Sequence, residues 1–263
     1  MPRITHCIAL LIASGLLAMG CSRQVLMPTP AIVSTAGVGA HMSAVDAFQS
    51  TEVQVFVAAP RKVREREDSR EIYTKERANI IHLGRATMQI GRELGWERVL
   101  EASKQQKRRR QPVIEFESYE PYGYLWASVP GPLSALGVDW YSPDVARDAG
   151  DRWVKDIEAQ LDVSMKRRIF IFVHGFNTQF AKNLGIAAEY WHFMSRDGAM
   201  ISYAWPSQGN VFAYQQDKAN ADYATRKFRQ LLLFLAEHTS VEEINILAHS
   251  AGCPIVIESL RDI

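Results

Sequence analysis

Ser250 lies in the stretch Ile246-Leu247-Ala248-His249-Ser250-Ala251-Gly252-Cys253, between a short apolar run and a segment with helical spacing. A serine hydroxyl is a weak nucleophile at its ordinary pKa. Proteins that use one place it on a sharp strand-to-helix turn, the nucleophile elbow, where the oxygen stands clear of the backbone. Such a turn crowds the residues two before and two after the serine, so both must be small. Here they are Ala248 and Gly252, alanine standing where glycine is usual. Glu243 to Ala248 reads as a short buried strand leading into the turn, and the chemistry it would serve is acyl transfer. A serine at an ordinary strand-to-helix turn gives the same five-residue pattern, so the decision falls to what surrounds it.

Acyl transfer from serine needs donors aimed at a developing oxyanion, a base for the hydroxyl and a group that orients the base. Val173-His174-Gly175-Phe176-Asn177 follows an apolar run and is placed to supply the first of these. The expected donors are the backbone N–H groups of Phe176 and Ala251. His174 comes too early in the chain to be the base; it is expected to orient its loop, a role close to that of any satisfied histidine at a strand end. His249 is expected to point away from the serine and pack against a neighbouring strand. Cys253 reads as a small apolar neighbour of the elbow.

The elements that must position these residues follow from hydrophobic spacing. Val145, Trp153, Ile157 and Leu161 mark a helix, and Ile169 to Val173 is a strand apolar on both faces, as in a covered parallel sheet. Phe180, Leu184, Ala187, Trp191 and Met194 mark a second helix that Gly198 should end. Ala199 to Trp205 is a strand, Gln215 to Glu237 a helix, and Glu243 to Ala248 the strand into the elbow. Alternation of this kind predicts an α/β fold with a doubly wound, mainly parallel sheet. Further upstream, Glu52 to Ala58 predicts a strand and the charged stretch from Arg61 to Arg77 an exposed loop or hairpin. Met88, Ile90, Leu94 and Val99 suggest a helix. Val113 to Ser118 and Tyr122 to Val129 suggest strands broken at Pro121, Pro130 and Pro132.

The chain has 263 residues, 47% hydrophobic and 10% aromatic, enough for a substantial core. Its 30 basic and 29 acidic residues nearly cancel, which argues against a polyanion such as nucleic acid as the main partner. The dense basic run Lys107-Arg108-Arg109-Arg110 has no aromatic interleaving and reads as a solvated loop or helix end. Histidines and carboxylates show no ligand spacing such as HExxH, so neither a metal nor a cofactor is expected.

Arg3 followed by the apolar run Ile8 to Met19 has the form of an export signal. Leu17-Ala18-Met19-Gly20-Cys21-Ser22 resembles a bacterial lipoprotein box, which implies lipidation at Cys21, attachment to the cell envelope, and outer-membrane sorting through Ser22. A plain secretory cleavage is the alternative. Residues 1–20 are then the signal and 21–50, rich in Pro, Ala, Ser, Thr and Gly, a flexible tether. With Cys7 in the signal and Cys21 lipidated, Cys253 alone remains in the body, so no internal disulfide is expected.

Four motifs in order carry a more specific resemblance: His174-Gly175-Phe176-Asn177-Thr178; Tyr203-Ala204-Trp205-Pro206-Ser207-Gln208-Gly209; Tyr214 with Asp217; and Ala248-His249-Ser250-Ala251-Gly252. Together they resemble a bacterial esterase/lipase-like alpha/beta-hydrolase family of largely unassigned function. That family reads roughly HGFN, then WPS with a glycine, then a tyrosine three residues before an aspartate, then AHSMG. The similarity covers about Arg168 to the end, with Ala251 in place of the family's methionine. Tyr122-Gly123 and Ser128-Val129-Pro130 weakly resemble its N-terminal part. The resemblance implies an alpha/beta-hydrolase domain over residues 51–263 that acts on a small-molecule or lipid ester through Ser250. Tyr214 and Asp217 are expected to bond to each other or to the Trp205-Pro206 loop, shaping the rim of the site.

In this fold the acid and the histidine follow the serine in chain order. After Ser250 only Glu258 and Asp262 are acidic, and no histidine follows His249. His82, His192 and His238 lie on elements not expected at the serine's edge of the sheet. The sequence therefore reads as a hydrolase domain truncated after the elbow helix and impaired as a catalyst. A non-catalytic envelope lipoprotein using the same fold for binding or assembly is the alternative.

Overall fold

Arg168–Val173 (β4) alternates two sets of apolar side chains, and the computed structural model, which describes residues 23–31, 48–64, 72–125, 143–208 and 213–261, buries both sets. Ile169, Ile171 and Val173 join a core with Trp153, Ile157, Tyr203, Trp205, Phe228, Leu231 and Ile255. Phe172 joins a second core with Phe180, Leu184, Ala187, Trp191 and Met200 on the other face. A strand apolar on both sides requires cover on both sides, and the helices supply it.

Before β4 come β1 (Glu52–Val63), β2 (Tyr73–Ile90), α1 (Trp96–Ala102), β3 (Ile114–Tyr124) and α2 (Pro143–Asp162). After it come α3 (Phe180–Phe193), β5 (Ala199–Tyr203), α4 (Tyr214–His238), β6 (Glu243–Ala248) and α5 (Gly252–Arg261). The six strands lie in the order β3-β2-β1-β5-β4-β6. The β1–β2 and β2–β3 pairs are antiparallel, whereas β1, β5, β4 and β6 run parallel. Helices α2, α4 and α5 contribute to the first core and α1 and α3 to the second. This is an α/β architecture, consistent with the alpha/beta-hydrolase fold.

The winding direction reverses at β4. The chain moves from β4 through α3 to β5 on one side, then through α4 back across to β6 on the other. In open α/β sheets the crevice outside the strand ends at such a reversal is where ligands bind. The loops after β4 and β6 flank it.

Several local expectations change in the structure. Met88 and Ile90 belong to the long strand β2, and helix begins only at Trp96, because Gly91 and Gly95 turn the chain with φ of +62° and +76°. Strand β3 runs unbroken through Pro121. It is an edge strand, and Pro121 sits at a register shift against Gly84, where a missing N–H costs little. Strand β1 continues to Val63, into the stretch expected to be an exposed loop. Helix α3 ends at Phe193, before positive-φ turns at Ser195 and Arg196 that precede Gly198. Strand β6 is half-buried rather than buried, since among the described residues it pairs only with β4 and leaves Leu247 exposed at the sheet edge.

Part of the expected tether is also docked. Val25 bridges Val113, Leu26 is fully buried with its N–H on the Pro112 carbonyl, and the Thr29 hydroxyl donates to the Ser103 carbonyl. The Arg108 guanidinium donates to the carbonyls of Leu26 and Met27. Cys21, the signal, the remainder of the tether, and Ser128-Val129-Pro130 lie outside the described residues.

Candidate active site

Register brings the two motif loops together. Val173 at the end of β4 is paired with Ala248 at the end of β6, and the His249 N–H continues the ladder onto the Val173 carbonyl at 3.0 Å. Residues 174–177 and 249–252 therefore leave the sheet side by side.

Their closeness explains both glycines. A methyl group on Gly175 would lie 2.6 Å from His249 Nδ1 and 3.0 Å from Ser250 Cβ. One on Gly252 would lie 2.6 Å from the Val173 carbonyl oxygen and 2.7 Å from that of His174. Ser250 itself has φ of +51°, a left-handed conformation that costs a side-chain-bearing residue about 1–2 kcal/mol. The Gly252 N–H then donates to the His249 carbonyl at 2.9 Å and the Cys253 N–H to the Ser250 carbonyl at 2.9 Å, which closes the turn into α5. These are the features of a nucleophile elbow: strand, strained serine, small neighbours and helix. The serine is exposed, in the loop after β6 that flanks the reversal point of the sheet.

Ala251 lies in the turn just ahead of α5, where a helix leaves N–H groups without intrahelical acceptors. Phe176 and Asn177 lie in the facing turn after β4, Asn177 with φ of +54°. The Thr178 hydroxyl donates to the Gly175 carbonyl at 3.2 Å and fixes this turn from inside.

His174 is buried beneath that loop. Its ring stacks on Trp205 with centroids 5.0 Å apart, and the Trp205 indole N–H donates to the His174 carbonyl at 2.7 Å. Burial and the neighbouring Arg61 guanidinium push its pKa down to about 3. The ring is therefore neutral and carries one N–H. Nδ1 lies 2.9 Å from the Gly175 carbonyl, and Nε2 lies 3.3 Å from Arg61 Nη2. Nε2 also lies 3.1 Å from the Trp205 carbonyl, so the single N–H of the neutral ring serves one of two carbonyls, that of Gly175 or that of Trp205. His174 is thus a fixed brace rather than a proton carrier.

Arg61 gave no sign of this role within its charge-rich stretch. Its Nε donates to the carbonyls of Ala204 and Trp205, each at 2.9 Å, so one β1 side chain ties the loop after β5 to the loop after β4. The available signal was parity: Val53, Val55, Val57 and Ala59 face one core, and Arg61 continues their alternation.

Asp217 on α4 is buried and holds the loop after β5. It accepts from the Ser207 hydroxyl and the Gln208 N–H, each at 2.7 Å. Asn220, one turn further on and not expected from the sequence, donates to the Pro206 carbonyl at 2.6 Å. Tyr214 is the first residue of α4. Gly209 lies outside the described residues.

His249 is exposed over Gly175 instead of packing against a strand. Cys253 is half-buried, its thiol facing the Ala248 carbonyl at 3.5 Å. No described side chain makes a hydrogen bond to the Ser250 hydroxyl. His192 is fully buried on α3 between Ser103 and Arg196, His82 is mostly buried on β2 beside Tyr73, and His238 ends α4. Glu258 pairs with Arg261 at 2.9 Å, and Asp262 lies outside the described residues. Among the described residues no cluster of three metal-binding side chains occurs, and no helix is long and apolar enough to cross a membrane.

Residues 150–263 match the model of a family described as an alpha/beta hydrolase of unknown function (DUF900). This supports an alpha/beta-hydrolase family of unassigned function, and the matched region holds β4 to α5 with both site loops. Comparison with curated proteins and with solved structures gives no match.

Proposed function

We propose that this chain is a serine hydrolase of esterase/lipase type, with Ser250 as its nucleophile, acting on a small-molecule or lipid ester. The observation that carries the reading is the elbow at Ser250: an exposed serine at φ of +51°, between a strand and a helix, with Gly175 pressed against it and Gly252 pressed against the carbonyls of Val173 and His174. In the reaction Ser250 Oγ adds to the acyl carbonyl and its proton passes to a base. The N–H groups of Phe176 and Ala251 stabilise the oxyanion of the tetrahedral adduct; as the adduct collapses the base returns the proton to the leaving alcohol, and water then hydrolyses the acyl-enzyme left on Ser250. His174, Asp217 and Arg61 hold the loops without touching the substrate. We further propose that the chain is exported and anchored to the cell envelope by lipid on Cys21.

A second reading has one observation in its favour. The Ser250 hydroxyl has no hydrogen-bond partner among the described residues, as expected of a binding protein that retains the fold without the reaction. Labelling of the purified protein by a fluorophosphonate, with Ser250→Ala as control, separates the two. Labelling that disappears in the variant supports an activated serine. A folded protein that resists the probe leaves the binding protein as the better account.

A further inference from the structure

The docked N-terminal segment and the basic run are one surface. Residues 24–29 lie against residues 103–114: the Ile114 N–H donates to the Gln24 carbonyl at 2.8 Å, Val25 bridges Val113, and Arg108 clamps Leu26 and Met27. Between Ala102 and Ile114 the chain has five cations and no acid. Arg108 faces inward and is spent on the clamp; Lys104, Lys107, Arg109 and Arg110 are exposed beside it. Lys104, Lys107 and Arg109 form no ion pair with a described residue, and Arg110 reaches Glu93 only at 3.9 Å. A solvated loop needs no such arrangement, in which one arginine of the run secures the chain end and its neighbours stay free.

We propose that this face, formed by residues 24–29 and the loop from Ser103 to Pro112, rests on an anionic phospholipid surface. The proposal builds on the lipid anchor at Cys21. Three residue steps separate Cys21 from Gln24, a span of at most about 11 Å. A lipid in the membrane therefore holds the docked segment, and the cations next to it, within roughly one Debye length of the headgroups. The anchor and the basic loop act in one place: the lipid holds the chain at the membrane, and each exposed cation near the surface adds attraction to anionic headgroups. The same contact fixes the orientation of the body, because the docked segment leaves little slack for it to turn.

The test uses the mature chain from residue 21, which contains every described residue, with Cys21→Ser to remove the lipid. Sedimentation with vesicles of phosphatidylglycerol and phosphatidylcholine is compared with vesicles of phosphatidylcholine alone. The expected result is binding to the anionic vesicles only. Adding Lys107→Gln, Arg109→Gln and Arg110→Gln should lower the partition coefficient on the order of a hundredfold, each cation contributing about fivefold. Lys218→Gln with Arg226→Gln, which removes two exposed cations from α4, should change it far less. Equal binding to both vesicle types, or a triple variant that binds like its parent while keeping the parent's circular dichroism, overturns the proposal. The anchor is read separately, by labelled palmitate on Cys21 in an exporting bacterium. Palmitate without vesicle discrimination sinks the face and keeps the anchor; discrimination without palmitate keeps the face and sinks the anchor.

Discussion

Arg61, on β1, and His174, at the end of β4, meet through the Arg61 guanidinium and His174 Nε2 at 3.3 Å, both side chains almost wholly buried. The same guanidinium donates to the Ala204 and Trp205 carbonyls, so the loops after β4 and β5 share a single donor group. Arg61→Met preserves bulk but leaves those carbonyls without a donor. It should cost about 2–4 kcal/mol by urea denaturation. Arg61→Lys should recover part of that loss, because an ammonium donates to fewer of these acceptors at once. A loss below about 0.5 kcal/mol for the methionine variant would show that the carbonyls find other partners.

The two glycines of the site should differ in a way that depends on what blocks them. At Gly252 the obstacles are backbone carbonyls of β4 and its exit, which cannot move without breaking the sheet. At Gly175 the nearest obstacle is the ring of His249, which is exposed and can turn away. Gly252→Ala should therefore cost the upper end of the ~1–3 kcal/mol typical of overpacking, and Gly175→Ala the lower end. In a His249→Ala background the Gly175→Ala cost should shrink, while the Gly252→Ala cost stays the same. A double-mutant cycle on thermal unfolding reads both.

What the sequence made legible has a physical pattern. β4, α3, β5, α4 and β6 were visible because their periodicities are strong and uninterrupted, and these elements alone place the loops after β4 and β6 side by side. The elbow was legible for the same reason that Gly252 is required: backbone crowding leaves few residue types. Arg61 was hidden because a buried arginine bonded to carbonyls looks, in one dimension, like any other charge in a charged stretch; Arg196, buried against the Ser50 and Glu52 carbonyls, is a second case. Docking of residues 24–29 was hidden because Pro, Thr and Met in a low-charge stretch read as tether, and their partners lie some 80 residues away. The strand through Met88 and Ile90 was misread because its spacing fits a helix until Gly91 is recognised as a turn.

The strain at Ser250 should be measurable as stability. Glycine adopts a positive φ freely, whereas alanine bears the same penalty as serine. Ser250→Gly should accordingly be more stable than Ser250→Ala by about 1 kcal/mol, even though glycine gains more backbone entropy on unfolding. Chemical denaturation of the three proteins at one pH decides it. A glycine variant less stable than the alanine variant would mean that the turn imposes no strain on the serine.

Acid should unfold this protein through its buried histidines. Burial, with the Arg61 charge, holds His174 at a pKa of about 3; burial alone holds His82 at about 4; and burial with the Arg196 and Arg108 charges holds His192 well below its ordinary value. All three stay neutral in the fold, while the same groups take up protons near pH 6.5 in the unfolded chain. Below that pH the unfolded state binds more protons, so stability falls as pH falls. The loss is about 1 kcal/mol per histidine for the first unit below 6.5, or about 3 kcal/mol for the three together. It continues to grow until each folded-state pKa is reached, then levels off. Urea midpoints taken between pH 7 and pH 5 should track this slope. In a His82→Gln variant, which removes a titrating group from β2 without touching the site loops, the slope should fall by about a third. An unchanged midpoint across that range would mean that these rings are already solvated or paired with acids in the folded state.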